Sequence, residues 1–133
     1  MTDTCTTEQK PLQGLALDSI PIYFEGFTPK THLAKFLQIA RSTLISWDAI
    51  AFKHLSEYRD AYPKRPQGAL KILAPDREAF LTPYQCWVLQ KVGRLMMATR
   101  KAYQVENYLK ANPKEFSEFK FQATYSQVIR KSA

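Results

Sequence analysis

The sequence predicts a mainly α-helical protein: a winged helix-turn-helix with a small β-hairpin wing and C-terminal dimerisation helices. Two short amphipathic segments follow each other across a three-residue break at 38–40. A proline-rich loop and an alternating, hairpin-like pattern come next, over residues 60–81. A second helical half starts at Thr82-Pro83 and carries a long apolar stripe.

The first predicted helix runs from about Pro29 to Leu37. Thr28 supplies a hydroxyl cap, and Pro29 at the first helical position loses only an N–H that would lack a partner. Ile39 follows the helix and is expected to fill the turn. Three residues share one apolar face at helical spacing, namely Leu33, Phe36 and Leu37.

The second predicted helix runs from about Arg41 to Leu55. Its apolar face is formed by Leu44, Ala51 and Leu55. The opposite face carries small hydroxyls, a methyl-rich residue and a basic group, namely Ser42, Ile45, Ser46, Ala49 and Lys53. The major groove of DNA presents hydrogen-bonding groups and thymine methyls, so this face is typical of a recognition helix.

A basic loop and a hairpin are predicted between the two helical halves. Prolines break the segment 60–68, which rules out a continuing helix. Residues 69–73 then alternate apolar and polar, a turn follows, and 78–81 would be the return strand of a wing. The basic residues of this region are Lys64, Arg65 and Lys71. Either they are simply solvated, or they reach phosphates or a minor groove.

The second helical half is predicted to run from the Thr82 cap to Asn112-Pro113, and a break within 93–99 is left open. Its stripe is wider than one coiled-coil seam requires, so part of it is expected to face a second copy of the chain. The residues expected at that dimer interface are Leu95, Ala102, Leu109, Phe116, Phe119, Tyr125, Val128 and Ile129.

The charge of the chain is uneven. Its net charge is +7 over 133 residues, whereas residues 1–27 hold one Lys against four acidic residues, 1 − 4 = −3. The positive excess therefore lies after Phe27, in the same part of the chain as the helix-turn-helix pattern. Such a distribution favours a polyanionic partner, although plain solubility would also explain a basic balance.

Few residues could support catalysis or metal binding. The two histidines, His32 and His54, have no carboxylate at a spacing that would orient them, and the four glycines form no phosphate-binding loop. Cys5 and Cys86 lack zinc-ligand spacing, and Cys86 is most simply a small buried side chain. We expect no enzyme, metal or cofactor. We also expect a cytosolic location, since no signal peptide or membrane span is evident.

The segment 33–48 resembles the first two helices of MerR-type winged-helix regulators, in which a turn precedes the run Ser-Arg-x-Thr-Leu-x-Tyr-Tyr-Glu. The matching residues are Arg41, Thr43, Leu44, Trp47 and Asp48. The segment 80–95 is similar to the strand-to-helix entry after the wing in that family. The chain departs from the family at Gln38, where a turn glycine is usual, at Ala40, where a capping serine is common, and in a longer wing.

The resemblance implies a homodimer that reads a pseudo-palindromic promoter element. It places Arg41 and Thr43 at the groove, Trp47 against a phosphate and the basic wing residues on the flanks. Members that sense metals or drugs carry cysteines or a ligand domain after the dimer helix. This chain shows neither, which implies a short repressor without a small-molecule effector. Repressors of type V-K CRISPR-associated transposons in cyanobacteria are of this kind.

The sequence thus predicts a double-stranded DNA-binding repressor with three parts: an N-terminal arm, partly disordered, at 1–27, the DNA-binding domain at 28–82 and a helical dimerisation region at 83–133. The predicted DNA contacts are Arg41, Ser42, Thr43, Ile45, Ser46, Trp47, Lys53, Lys64, Arg65 and Lys71. One alternative is an adaptor of a mobile element whose basic face docks an acidic protein. Another is single-strand or RNA binding by the C-terminal aromatic residues Phe116, Phe119, Phe121 and Tyr125.

Overall fold

The computed structural model describes residues 21–62 and 78–126, and this part of the chain is mainly helical. The prediction of a mainly α-helical protein is therefore confirmed. The helices are α1 (Lys30–Leu37), α2 (Arg41–His54), α3 (Ser56–Asp60), α4 (Pro83–Thr99), α5 (Ala102–Ala111), a 3₁₀ helix (Pro113–Phe116) and α6 (Glu118–Thr124).

The turn between α1 and α2 falls where the sequence predicts it. The N–H groups of Gln38 and Ile39 donate to the carbonyls of Lys35 and Ala34, at 3.1 and 3.0 Å, which is the closing pattern of a Schellman motif. Gln38 has a left-handed backbone, with φ 60° and ψ 44°. Ala40 then returns to an extended conformation as the residue before α2, without a side-chain cap. Two helices and a tight corner are therefore formed.

Replacing Gln38 with glycine is expected to raise the free energy of unfolding by about 0.5–1 kcal/mol. Glycine adopts the left-handed backbone without the Cβ penalty, and this gain exceeds the entropy that glycine adds to the unfolded chain. Urea denaturation measures the change. The control is Ala40→Gly, which is expected to destabilise because the backbone of Ala40 is extended. Equal or lower stability of Gln38→Gly would contradict this reading of the corner.

The N-terminal boundary of α1 differs slightly from the prediction. Pro29, not Thr28, stands at the cap position, and no side-chain cap is made. The backbone of Thr28 instead pairs with Leu81 in an isolated antiparallel bridge, with both N–O distances 2.8 Å. The N–H and carbonyl groups of Thr28 are therefore both bonded to Leu81, and its hydroxyl does not cap α1.

The predicted hairpin wing is not supported. Residues 78–81, expected as its return strand, form no strand, and their only pairing in the described chain is the bridge of Leu81 to Thr28. The other predicted strand, 69–73, lies outside the described residues. No strand occurs in either described range, 21–62 or 78–126.

Helix α4 is the centre of the molecule. Thr82 and Gln85 form a capping box: the Thr82 hydroxyl accepts from the Gln85 N–H at 3.1 Å, and the Gln85 side chain accepts from the Thr82 N–H at 2.9 Å. Every residue from 84 to 90 is buried, as in a helix surrounded by protein. The break left open within 93–99 lies later, at Arg100, whose φ of 60° ends α4 and lets α5 fold back.

The C-terminal helices complete the same core, which corrects part of the predicted dimer interface. Leu109, Phe116 and Tyr125 are 0, 2 and 7% exposed, because a small domain needs their apolar side chains for its own interior. They are unavailable to a partner. Leu95 is half-buried, Ala102 is exposed, and Phe119 is 83% exposed. Val128 and Ile129 lie outside the described residues.

Cys86 is fully buried in this core, and burial raises the pKa of its thiol to about 12. The expectation of a small buried side chain is confirmed.

In the described ranges, no helix has the length and apolar character needed to cross a membrane.

Candidate nucleic-acid interface

Helix α2 turns one face to solvent, and this face carries most of the predicted contact residues. Ser42, Ser46, Ala49 and Lys53 are exposed, while Arg41, Thr43 and Ile45 are half-buried. The described parts of the chain do not cover it. The Ser46 hydroxyl donates to the Ser42 carbonyl, at 3.3 Å, so it lies along the helix surface and does not project far. A shallow face of hydroxyls and methyl groups results.

The opposite face of α2 is buried and corrects the prediction for Trp47. Leu44, Trp47, Asp48, Ala51 and Phe52 are its buried residues. Trp47 is 3% exposed because it shares the apolar face with Leu44 and Ala51 at helical spacing. The predicted contact of Trp47 with a phosphate is therefore wrong, and its ring instead holds the helix against the core.

A buried ion pair ties α2 to α1, and no pattern in the sequence predicts it. The Lys30 Nζ of α1 lies 2.8 Å from Asp48 Oδ2, and the two side chains are 1 and 0% exposed. The Tyr62 hydroxyl donates to the same carboxylate at 2.6 Å, and the Tyr58 hydroxyl also donates to it. Asp48 thereby joins α1, α3 and Tyr62, which stands two residues after α3.

The carboxylate of Asp48 and its partners are buried. Burial first, and then the charge of Asp48, raises the pKa of Tyr58 well above its usual value, so this tyrosine stays a hydrogen-bond donor. The Lys30 ammonium also lies over the Tyr62 ring, 5.0 Å from its centroid. A buried carboxylate with three donors is satisfied, and it would be costly to leave without them.

The first turn of α2 contains a surface ion pair. Arg41 Nη2 lies 3.6 Å from Glu78 Oε2, with side chains 37 and 86% exposed. Exposed pairs of this kind contribute about 0–1 kcal/mol, so Arg41 can exchange Glu78 for another anion at low cost. Arg41, which the sequence predicts to contact a base, is thus partly accessible and lies beside the exposed face of α2.

The last turn of α2 is anchored to α3 and α5. Arg59 donates to the carbonyls of Phe52 and Lys53, both at 3.0 Å, which closes the end of the helix. His54 Nε2 lies 2.8 Å from Glu106 Oε1, although the histidine was predicted to have no orienting carboxylate. That prediction considered only neighbours in sequence, whereas Glu106 is 52 residues away. The hydrogen bond to His54 lowers the pKa of Glu106.

The remaining predicted contacts, Lys64, Arg65 and Lys71, lie outside the described residues. The described ends of that connection are both bound to α2: Tyr62 through Asp48, and Glu78 through Arg41. Tyr62 and Glu78, the described residues on either side of that connection, therefore both lie beside α2.

Comparison with protein-family models, with curated proteins and with solved structures gives no match. Within 21–62 and 78–126, no group of three or more metal-ligating side chains is present.

Proposed function

We propose that the protein is a sequence-specific, double-stranded DNA-binding repressor of transcription that acts as a homodimer. The observation that carries the proposal is the two-sided character of α2. One face is anchored by Trp47, Asp48 and Leu44, and the other presents hydroxyls, methyl groups and basic residues to solvent. A helix that is rigidly held by its neighbours and open on its polar side suits insertion into a major groove.

The corner at Gln38–Ala40 supports the proposal, because it lets α1 brace α2 as the first helix of a helix-turn-helix does. In this proposal the domain carries a MerR-type helix-turn-helix, and Lys64, Arg65 and Lys71 contact DNA phosphates.

Few of the predicted dimer contacts remain accessible, because several of those residues are buried in the core of the chain. Of the predicted contacts, Leu95 is half-buried near the end of α4 and Ala102 is exposed at the start of α5, where Tyr103 is 60% exposed. For a homodimer to read two half-sites, its two recognition helices must lie about one DNA turn apart, roughly 34 Å. The bound promoter element would then be pseudo-palindromic.

Arg41→Ala is expected to weaken binding to the preferred duplex by about 5- to 150-fold, the equivalent of about 1–3 kcal/mol for a bidentate base contact. Discrimination at one base position should relax as well. Quantitative gel shifts with a duplex selected from genomic fragments measure both effects. Lys110→Ala, on an exposed position of α5, is the control and should change little. An Arg41→Ala protein with full affinity and selectivity would remove Arg41 from the site.

Glu78→Gln is expected to strengthen duplex binding by about 2- to 5-fold, because the variant weakens the ion pair with Arg41 and removes a negative charge beside the phosphates. Fluorescence anisotropy at fixed salt measures the change. Glu25→Gln alters the net charge equally at another exposed position and serves as the control. Weaker binding by Glu78→Gln would show that the carboxylate positions Arg41 for DNA, contrary to this assignment.

A further inference from the structure

A second candidate surface lies on α6. Phe119 is 83% exposed, and it borders a surface depression of about 500 Å³. We call this depression the Phe119 surface. The residues that line it are Lys114, Ser117, Phe119, Lys120, Ala123 and Thr124. Of the four C-terminal aromatics that the sequence singles out, Phe116, Phe121 and Tyr125 are buried, so Phe119 alone presents its ring to a ligand.

The ionic groups that line the Phe119 surface are both cations, Lys114 and Lys120. A third ammonium lies close by: Lys91 stands 4.3 Å from the Trp87 ring centroid and also faces Phe116. Burial, followed by the charges of Lys120 and Arg94, lowers the pKa of Lys91 from its usual 10.5 to about 8, with Glu115 acting in the opposite direction. The lining itself therefore carries two positive charges and suits an anionic ligand, with the carboxylates of Glu115 and Glu118 adjacent in sequence but not part of the lining.

We propose that the Phe119 surface binds single-stranded nucleic acid, with a base stacked on Phe119 and the flanking phosphates held by Lys114 and Lys120. An exposed aromatic ring between cations is the arrangement that single-strand binding requires, since every base has a stacking face and every linkage a charge. The Ser117 and Thr124 hydroxyls are engaged locally, with Lys120 N–H and the Lys120 carbonyl, so they add little sequence selectivity.

A second copy of the chain is a poorer occupant, although Phe119 is among the predicted dimer contacts. A two-fold interface is self-complementary, so one centred on Phe119 would bring Lys114 and Lys120 of each copy toward those of the other. Like charges in a contact are repulsive, whereas a phosphate backbone neutralises them. The inference is independent of duplex binding by α2.

The test is a fluorescence anisotropy titration of the full chain with labelled octathymidylate and octauridylate. Phe119→Ala should weaken binding by about 5- to 150-fold, as loss of one stacked base does, and Phe119→Trp should retain it. Lys114→Gln and Lys120→Gln should each lower the slope of log affinity against log salt by about 0.7. Phe27→Ala, at an exposed aromatic before α1, and Lys110→Gln, at an exposed lysine on α5, are the matched controls and should change neither quantity.

Arg41→Ala separates this inference from the proposed function, because it should impair duplex binding and leave single-strand binding intact. Three results would overturn the inference. The first is unchanged oligonucleotide binding by Phe119→Ala. The second is equally tight binding of labelled oligoglutamate, which would indicate an acidic protein partner. The third is a dimer, seen by analytical ultracentrifugation, that Phe119→Ala dissociates while the parent binds neither oligonucleotide.

Discussion

Asp48→Asn is expected to lower the free energy of unfolding by about 3–5 kcal/mol, the usual consequence of removing one partner of a buried ion pair. The substitution keeps the shape of the side chain but removes the negative charge that lies 2.8 Å from the Lys30 ammonium, which is 1% exposed. Tyr58 and Tyr62 also lose a charged acceptor for their hydroxyl groups. Urea denaturation followed by circular dichroism measures the loss.

The control for this prediction is Asp60→Asn, which removes an exposed carboxylate of α3 and should change stability by about 0.5 kcal/mol at most. The double variant Lys30→Met/Asp48→Asn should be more stable than Asp48→Asn alone, because it removes the buried ammonium together with its carboxylate. A loss below about 1 kcal/mol in Asp48→Asn would show that the ion pair does not hold α2 in place.

Ser46→Glu is expected to weaken duplex binding by about 100-fold or more while leaving stability nearly unchanged. The side chain is exposed in the middle of the open face of α2, so a carboxylate there would meet the negative groove directly. Surface substitutions of this kind alter stability by about 0.5 kcal/mol or less. Gel shifts give the affinity, and thermal melting gives the stability.

Gln104→Glu is the matched control, since it makes the same change in net charge at an exposed position of α5. Comparable losses in the two variants would mean that overall charge, and not the face of α2, governs binding. Full binding by Ser46→Glu would place the DNA elsewhere on the molecule.

Local patterns in the sequence predicted the helices well. The first two helices end or begin within one residue of the expected positions, because apolar spacing and the Gln38–Ala40 break are local signals. The Thr82-Pro83 start and the Asn112-Pro113 end follow from capping chemistry and from the missing proline N–H, which are equally local.

The contacts that orient those helices could not be predicted in the same way. The pairs Lys30–Asp48 and His54–Glu106 join residues 18 and 52 positions apart, and nothing in the spacing of either residue identifies its partner. The error at Trp47 is different in kind. Its spacing from Leu44 and Ala51 places it on the apolar face, whereas the family resemblance implies a contact with a phosphate. The structure agrees with the spacing. In the C-terminal half, Leu109, Phe116 and Tyr125 have the spacing expected of a dimer interface, but a small domain needs these apolar side chains for its own core.

The central claim is that the open face of α2 docks into duplex DNA. The most direct measurement is a selection of bound sequences from a random duplex library by the intact chain, run in parallel with Ser46→Glu. We expect the parent to enrich an inverted repeat whose half-sites are centred about 10–10.5 base pairs apart, and the variant to enrich nothing. A parent protein that enriches no duplex sequence, or a Ser46→Glu variant that enriches the same repeat, would contradict it.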